Sequence, residues 1–207
     1  MTNTASRIRK IAVTAMLSAV AAVLMAMSFS VPLMPSFIKM DFSELPALIG
    51  AFAYGPLWGV AVCLVKNLIN LTMTTTGGVG ELANFLIGAA FVAVAGWIYQ
   101  VKKTRGGALL ASLLGAVAGG IASVPINYFI TYPFYTNFMP LERILGMYQA
   151  IFPAAGGLLS CLLIFNLPFT VIKGLADAAI CFLIYKPLSP VLKGLREKRT
   201  AFRTEGE

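Results

Sequence analysis

The chain has 207 residues, 58% hydrophobic and 12% charged, with a formal net charge of +8 and no histidine; its mean hydropathy is +0.83. Soluble domains carry about 45–50% apolar and about 25% charged residues, so an ordinary water-soluble protein, a disordered chain and a nucleic-acid binder driven by general basicity are all excluded. At about 20 apolar residues per crossing the chain holds about five to seven membrane spans, leaving no room for a soluble catalytic domain.

The first predicted span covers about residues 11–30 and stops before Pro32 and Pro35. Its basic start (Arg7, Arg9, Lys10) imitates a signal peptide, but a signal h-region is only about 7–15 residues. The run Ile11–Val31 is longer and more spans follow it, so it is expected to remain as a span. A connection with Lys39, Asp41 and Glu44 leads to a short second span, 45–56, closed by Gly55-Pro56. The piece Leu45–Tyr54 gives only about 15 Å of helix. It must recruit its flanks, tilt, or sit against neighbours.

The third span, 57–73, ends in the turn-rich Thr74-Thr75-Thr76-Gly77-Gly78, and the fourth, 81–100, ends at Lys102, Lys103 and Arg105. The fifth, 107–131, passes into Tyr132, Phe134, Tyr135 and Phe138, aromatic residues that suit a head-group interface. From Gln149 to Lys186 the chain is too long for one straight span and too short for two, and Pro153, Gly156, Gly157 and Pro168 interrupt it. The expectation is an interfacial or partly re-entrant segment up to Phe165, then a sixth span over 166–186. Asn166 would cap that helix, with Pro168 in its first turn. The fold class is therefore an all-α polytopic membrane protein: one domain, six transmembrane helices, a short second helix and an interfacial segment before the sixth.

Lys and Arg collect in cytoplasmic loops. Here all but Lys39, Lys66, Arg143 and Lys173 fall in three clusters: the N-terminal one, Lys102–Arg105, and Lys186, Lys193, Arg196, Lys198, Arg199 and Arg203. Six spans put all three on one side, so the chain is expected in the cell membrane with both termini cytoplasmic. The C-terminal cluster reads as a solvated tail near anionic head groups, not as a nucleic-acid site. Cys63, Cys161 and Cys181 lie in apolar surroundings without C-x-x-C spacing and read as buried small hydrophobes. No metal site is expected.

A charge at mid-membrane costs about 2.5–3.5 kcal/mol and needs a partner or a cavity. Lys66 and Asn70 share a face of the third span, Glu81 and Asn84 share one on the fourth, and Lys173 and Asp177 share one on the sixth. In the deduced orientation Asn70, Glu81, Asn84, Asn127 and Lys173 belong to the outer half, the arrangement of a polar pocket opening outward. The alternative is structural: Lys173 and Asp177 neutralise each other and the Asn residues join helices. Ala15 and Ala19 form a small-xxx-small stripe on the first span, repeated nearby by Ser18 and Ala22, which suits close approach of another helix inside or outside the chain. There is no G-x-x-x-x-G-K-[ST], G-x-S-x-G or H-E-x-x-H, so any ATPase that drives transport lies on other chains.

The segment Lys39-Met40-Asp41-Phe42-Ser43-Glu44-Leu45-Pro46-Ala47-Leu48-Ile49-Gly50 resembles the first-loop and second-helix signature of riboflavin-binding S components of energy-coupling factor (ECF) transporters. Tyr54–Gly59, Lys66-Asn67-Leu68, Gly78–Phe85 and Asn166-Leu167-Pro168-Phe169 leading to Ile172-Lys173-Gly174 are similar to the same family, in the same order. The resemblance spans the chain from the first span to Leu188, except Met147–Ser160, where no family pattern stands.

The resemblance implies a six-helix subunit, not an enzyme, that captures extracellular riboflavin as transported substrate and uses no cofactor. Its implied partners are one membrane coupling subunit, docked through Ala15 and Ala19, and two cytoplasmic ATPases. Asn127 and Lys173 match the family's polar contacts to the flavin ring. Glu81 and Asn84 are candidates for the ribityl hydroxyls, and Met40, Asp41 and Phe42 for a gate. Three alternatives stay open at this point: an S component for another vitamin such as thiamine or a folate; a membrane enzyme using Lys66, Glu81 or Asp177; and an autonomous ion-coupled carrier with Asp177 or Glu81 as proton site.

Overall fold

The computed structural model describes residues 3–32 and 34–184. The C-terminal basic cluster and the last residues of the sixth predicted span lie outside them. Helix α1, Asn3–Ala26, contains no Gly or Pro and runs unbroken for 24 residues. A two-residue antiparallel ladder, β1 Phe29–Ser30 with β2 Lys39–Met40, then folds the first connection into a hairpin with Phe29 opposite Met40.

Helix α2, Glu44–Tyr54, is as short as its sequence, and it solves the length problem by burial. Ala47, Leu48 and Ala51 are 0% exposed, enclosed by α1, α3 and α4. Gly55, at φ +108°, makes the corner, and Pro56 opens α3, Pro56–Asn70, at a position where its missing N–H has no intrahelical partner to lose. Gly59 seats α3 directly on α2: a Cβ there would lie 2.8 Å from the carbonyl oxygen of Ala47.

Helix α4, Val79–Val101, follows the left-handed pair Gly77 and Gly78. At the opposite end the Thr104 hydroxyl accepts from the Gly107 amide at 3.0 Å and caps α5, Arg105–Tyr135. Helix α6, Leu141–Gln149, lies between α5 and α7 and buries Ile144 and Tyr148. Helix α7 is continuous over Leu158–Ile184.

The expected break before a sixth helix starting at Asn166 is therefore corrected. The physical device is a wide π-type turn at Leu162–Asn166, one turn ahead of Pro168. Proline lacks an N–H and its ring collides with the carbonyl four residues back. That carbonyl, of Ile164, sits inside the widened turn, so the helix passes through the proline. Helix α5 repeats the solution: its wide turn at Asn127–Thr131 precedes Pro133. Asn166 is thus an interior residue rather than a cap.

Among the described residues, five helices are long and apolar enough to cross a membrane, with α2 as a shorter apolar helix beside them. Their outward faces carry large apolar side chains, among them Leu57 at 81% and Trp97 at 65% exposure. In water such a surface would drive aggregation, whereas in lipid it is the ordinary exterior. The main core joins Leu48, Val62, Phe91, Val92 and Ala116. A second core, around Tyr132, Ile144, Tyr148, Leu162 and Phe165, lies where α6 meets α5 and α7. Cys63, Cys161 and Cys181 are buried free thiols.

Candidate substrate-binding site

One cavity of about 790 Å³ opens between the hairpin, α4, α5 and α7. It lies inside the range of about 300–1,000 Å³ usual for small-molecule sites. Phe37, Ile87, Phe91, Met139 and Phe169 give it apolar walls. Asp41, Glu81, Asn84, Asn127 and Lys173, all expected site residues, line it together. Met40 does not: it is buried under the hairpin and faces a smaller apolar groove with Phe29, Pro168 and Phe169. Phe42 packs its ring on Phe29, centroids 6.3 Å apart, and lines neither cavity.

The charged floor is a network of residues from four places in the chain. Lys173 Nζ lies 2.9 Å from Asp41 Oδ2 and 2.9 Å from Glu44 Oε2. Lys66 Nζ lies 2.6 Å from Glu44 Oε1 and also donates to the Ser43 hydroxyl. Ser43 in turn donates to Asp41 through its hydroxyl, and through its backbone N–H at 2.9 Å. The expected alternative that Lys173 and Asp177 neutralise each other is corrected here: Lys173 takes the hairpin and α2 carboxylates instead. Asp177 is 0% exposed, lines the cavity, and neither carboxylate oxygen has a hydrogen-bond partner among the described residues. Burial alone would raise the Asp41 carboxyl, but the Lys173 and Lys66 charges and the Ser43 hydrogen bonds outweigh it and hold it at about 2.

The remaining polar groups point several ways. Glu81 Oε2 accepts from the hydroxyls of Thr74 and Thr76, each at 2.9 Å, which fixes the carboxylate at the start of α4. Asn127 donates one Nδ2 proton to the Ser123 carbonyl oxygen at 2.8 Å. Asn84 Oδ1 and Thr131 Oγ1 are buried without a hydrogen-bond partner among the described residues. Asn166 accepts from the Tyr148 hydroxyl at 2.7 Å, and Tyr148 is hydrogen-bonded to Tyr132. Burial, with Tyr132 beside it, pushes the Tyr148 phenol far above its usual range, so it keeps its proton.

Sequence reasoning did not assign Glu44, Ser43, Tyr132, Tyr148 or Asn166 to the site. Glu44 had a signal: Lys66, alone in an apolar run, demands a buried counter-charge. Asn166 stands in a family-like string but reads as a helix cap, because its environment depends on where two wide turns bring α5, α6 and α7 together.

Residues 9–188 match the family described as "ECF transporter, substrate-specific component". The chain belongs to this family. It is 32% identical over 178 residues to Riboflavin transporter RibU of Staphylococcus aureus, covering 86% of this chain and 89% of that one. It is 32% identical over 193 residues to Riboflavin transporter FmnP of Bacillus subtilis, covering 92% and 97%. A solved structure of the S component of a bacterial ECF transporter superposes with a TM-score of 0.71 at 31% identity, covering 90% of this chain and 99% of that chain. These proteins are transport components, so the enzyme alternative falls away. The all-helical membrane fold expected for the S component holds.

Proposed function

We propose that this S component captures riboflavin from outside the cell and delivers it through an ATP-driven ECF transporter without altering it. The observation that carries the reading is a cavity in which apolar walls meet a few directed polar groups. Riboflavin is a flat tricyclic ring with one carbonyl and imide edge and a polyhydroxyl chain. Phe91 and Phe169 suit the ring faces, Asn127 and Lys173 the pyrimidine edge, and Glu81 and Asn84 the ribityl hydroxyls. Asp41 anchors the gate through Lys173, with Met40 and Phe42 packing the hairpin in place. Similarity to two proteins named riboflavin transporters supports riboflavin over another vitamin.

The partners of this reading are one membrane coupling subunit and two cytoplasmic ATPases. Ala15 and Ala19 are exposed on α1, while Ser18 and Ala22 of the neighbouring stripe are buried at 1% and 7%. The outward pair therefore suits docking of another helix, and the inward pair serves packing within the chain. Both termini and the Lys102–Arg105 turn are cytoplasmic, by the positive-inside rule. The six membrane crossings are α1 to α5 and α7.

The test is the absorption spectrum of detergent-purified protein followed by a riboflavin fluorescence-quenching titration. Flavin bands at one per chain and saturable quenching are expected. A colourless protein that leaves riboflavin fluorescence unchanged would overturn the assignment and redirect the search to other vitamins.

A further inference from the structure

Tyr148 is fully buried and takes no part in the cavity wall, yet its hydroxyl touches two residues that do, Tyr132 and Asn166. The three come from α6, α5 and α7. A phenol has one proton, and Tyr148 gives it to Asn166 Oδ1 at 2.7 Å. Its contact with Tyr132 must then be one in which Tyr148 accepts. The relay has a direction, and it ends on one lone pair of the Asn166 amide oxygen. That bond fixes which way round the amide stands and holds its Nδ2, which only donates, on the side away from Tyr148.

Asn127 is arranged in the opposite sense. One of the two Nδ2 protons goes to the Ser123 carbonyl oxygen, which holds the amide in place with Oδ1 available as an acceptor. Lys173 has three N–H donors, and Asp41 and Glu44 take two of them. The cavity therefore presents donors at Asn166 and Lys173 and an acceptor at Asn127. The pyrimidine edge of a flavin reads carbonyl, imide N–H, carbonyl, which is the complementary order of acceptor, donor, acceptor.

We propose that Tyr148 is a positioning residue for ligand recognition, fixing the Asn166 amide so that its N–H group donates to a ring carbonyl of the bound flavin. Without the Tyr148 hydroxyl the amide is free to turn over and present oxygen to oxygen. A buried acceptor left unmet costs enough to matter, whereas the ring of Tyr148 serves only packing, against Phe37 and Phe165 at 5.9 and 5.2 Å between centroids. The inference rests on the riboflavin reading above.

The experiment is a riboflavin fluorescence-quenching titration of the full-length purified chain, with thermal unfolding of each protein measured alongside. The variants are Tyr148→Phe, Asn166→Asp, Asn166→Leu and the double variant Tyr148→Phe/Asn166→Leu. Asn166→Asp is nearly isosteric and removes the donors, so it serves if the leucine variant does not fold. Expected are a loss of affinity of about fivefold or more for Tyr148→Phe and about 10- to 100-fold for either Asn166 variant. The double variant should bind as Asn166→Leu does, because Tyr148 acts through Asn166 and has nothing left to orient. A Tyr148 role confined to packing would instead give additive losses, and that result overturns the proposal. So does a folded Asn166→Asp that binds within about twofold of wild type. Wild-type protein that binds no riboflavin overturns the functional reading itself, and is recognised before any variant is compared.

Discussion

Lys173 Nζ stands 2.9 Å from Asp41 Oδ2, an ion pair that ties the last membrane helix to the first connection across 132 positions of sequence. With the side chains 12% and 6% exposed, the pair is shielded from water. Removing one partner of such a pair leaves an uncompensated charge and costs about 3–5 kcal/mol. The Lys173→Met variant is expected to unfold at lower temperature even without ligand, and to lose riboflavin binding by more than about tenfold. The partner change Asp41→Asn in the same chain should restore part of the stability and none of the binding. Ligand-free thermal unfolding of the three proteins decides it: a Lys173→Met variant as stable as wild type would show that the ion pair is incidental.

Lys66 and Glu44 make a second pair at 2.6 Å, with Lys66 0% exposed. Lys66→Met alone is expected to cost about 3–5 kcal/mol, and Lys66→Met with Glu44→Gln clearly less, since Lys173 alone cannot balance both Asp41 and Glu44 and the second change removes the carboxylate in excess. Additive losses in a denaturation series would contradict this coupling.

The Asp41 carboxyl, held at about 2 against an ordinary 3.8, sets the sign of a pH effect. A depressed acid contributes stability that is complete above the unfolded value and fades as pH falls through the folded one. Between pH 5 and 8 the difference in unfolding temperature between wild type and Asp41→Asn should therefore be flat. A gap that closes as the pH drops from 7 to 5 would mean that Asp41 titrates in the ordinary range.

Gly115 lets α5 lie against α4: a Cβ there would meet Ala95 Cβ and the Phe91 carbonyl oxygen, each at 2.8 Å. Backbone cannot step aside as a flexible side chain can. Gly115→Val should destabilise the protein by about 1–3 kcal/mol through overpacking, and should distort the cavity wall at Phe91. Circular dichroism melting with a binding titration at low temperature reads both effects.

On α1 the two small-residue stripes should separate by phenotype. Ala19→Trp, on the exposed face, is expected to leave purified protein folded and riboflavin-binding while cellular uptake falls. Ala22→Trp, on the buried face, should instead prevent folding. Normal uptake by the Ala19→Trp variant would argue against docking through this face.

Much of the fold was legible because its signals are local. Runs of apolar residues fix where helices lie, and Gly55-Pro56 and Gly77-Gly78 mark corners that few other residues could make. The polar set was legible for a related reason: each of Asp41, Glu81, Asn84, Asn127 and Lys173 interrupts an apolar context or stands in a family-like string, and all five line one cavity. The ion partner of Lys173 was not legible. Helical spacing offers Asp177 four positions away, but a long side chain chooses among every carboxylate that folding brings within reach, and Asp41 and Glu44 are closer to hand.

The sequence by itself determined that this is a helical membrane protein with a short second helix and a set of polar residues among its spans, because hydropathy and charge act residue by residue. Tertiary structure alone decided that α7 runs through Pro168, that Asn166 faces a cavity, and that Tyr148 holds its amide. The reason is physical: a widened turn shifts every later side chain around the helix, and hydrogen-bond partners from three helices become neighbours only once those helices have packed.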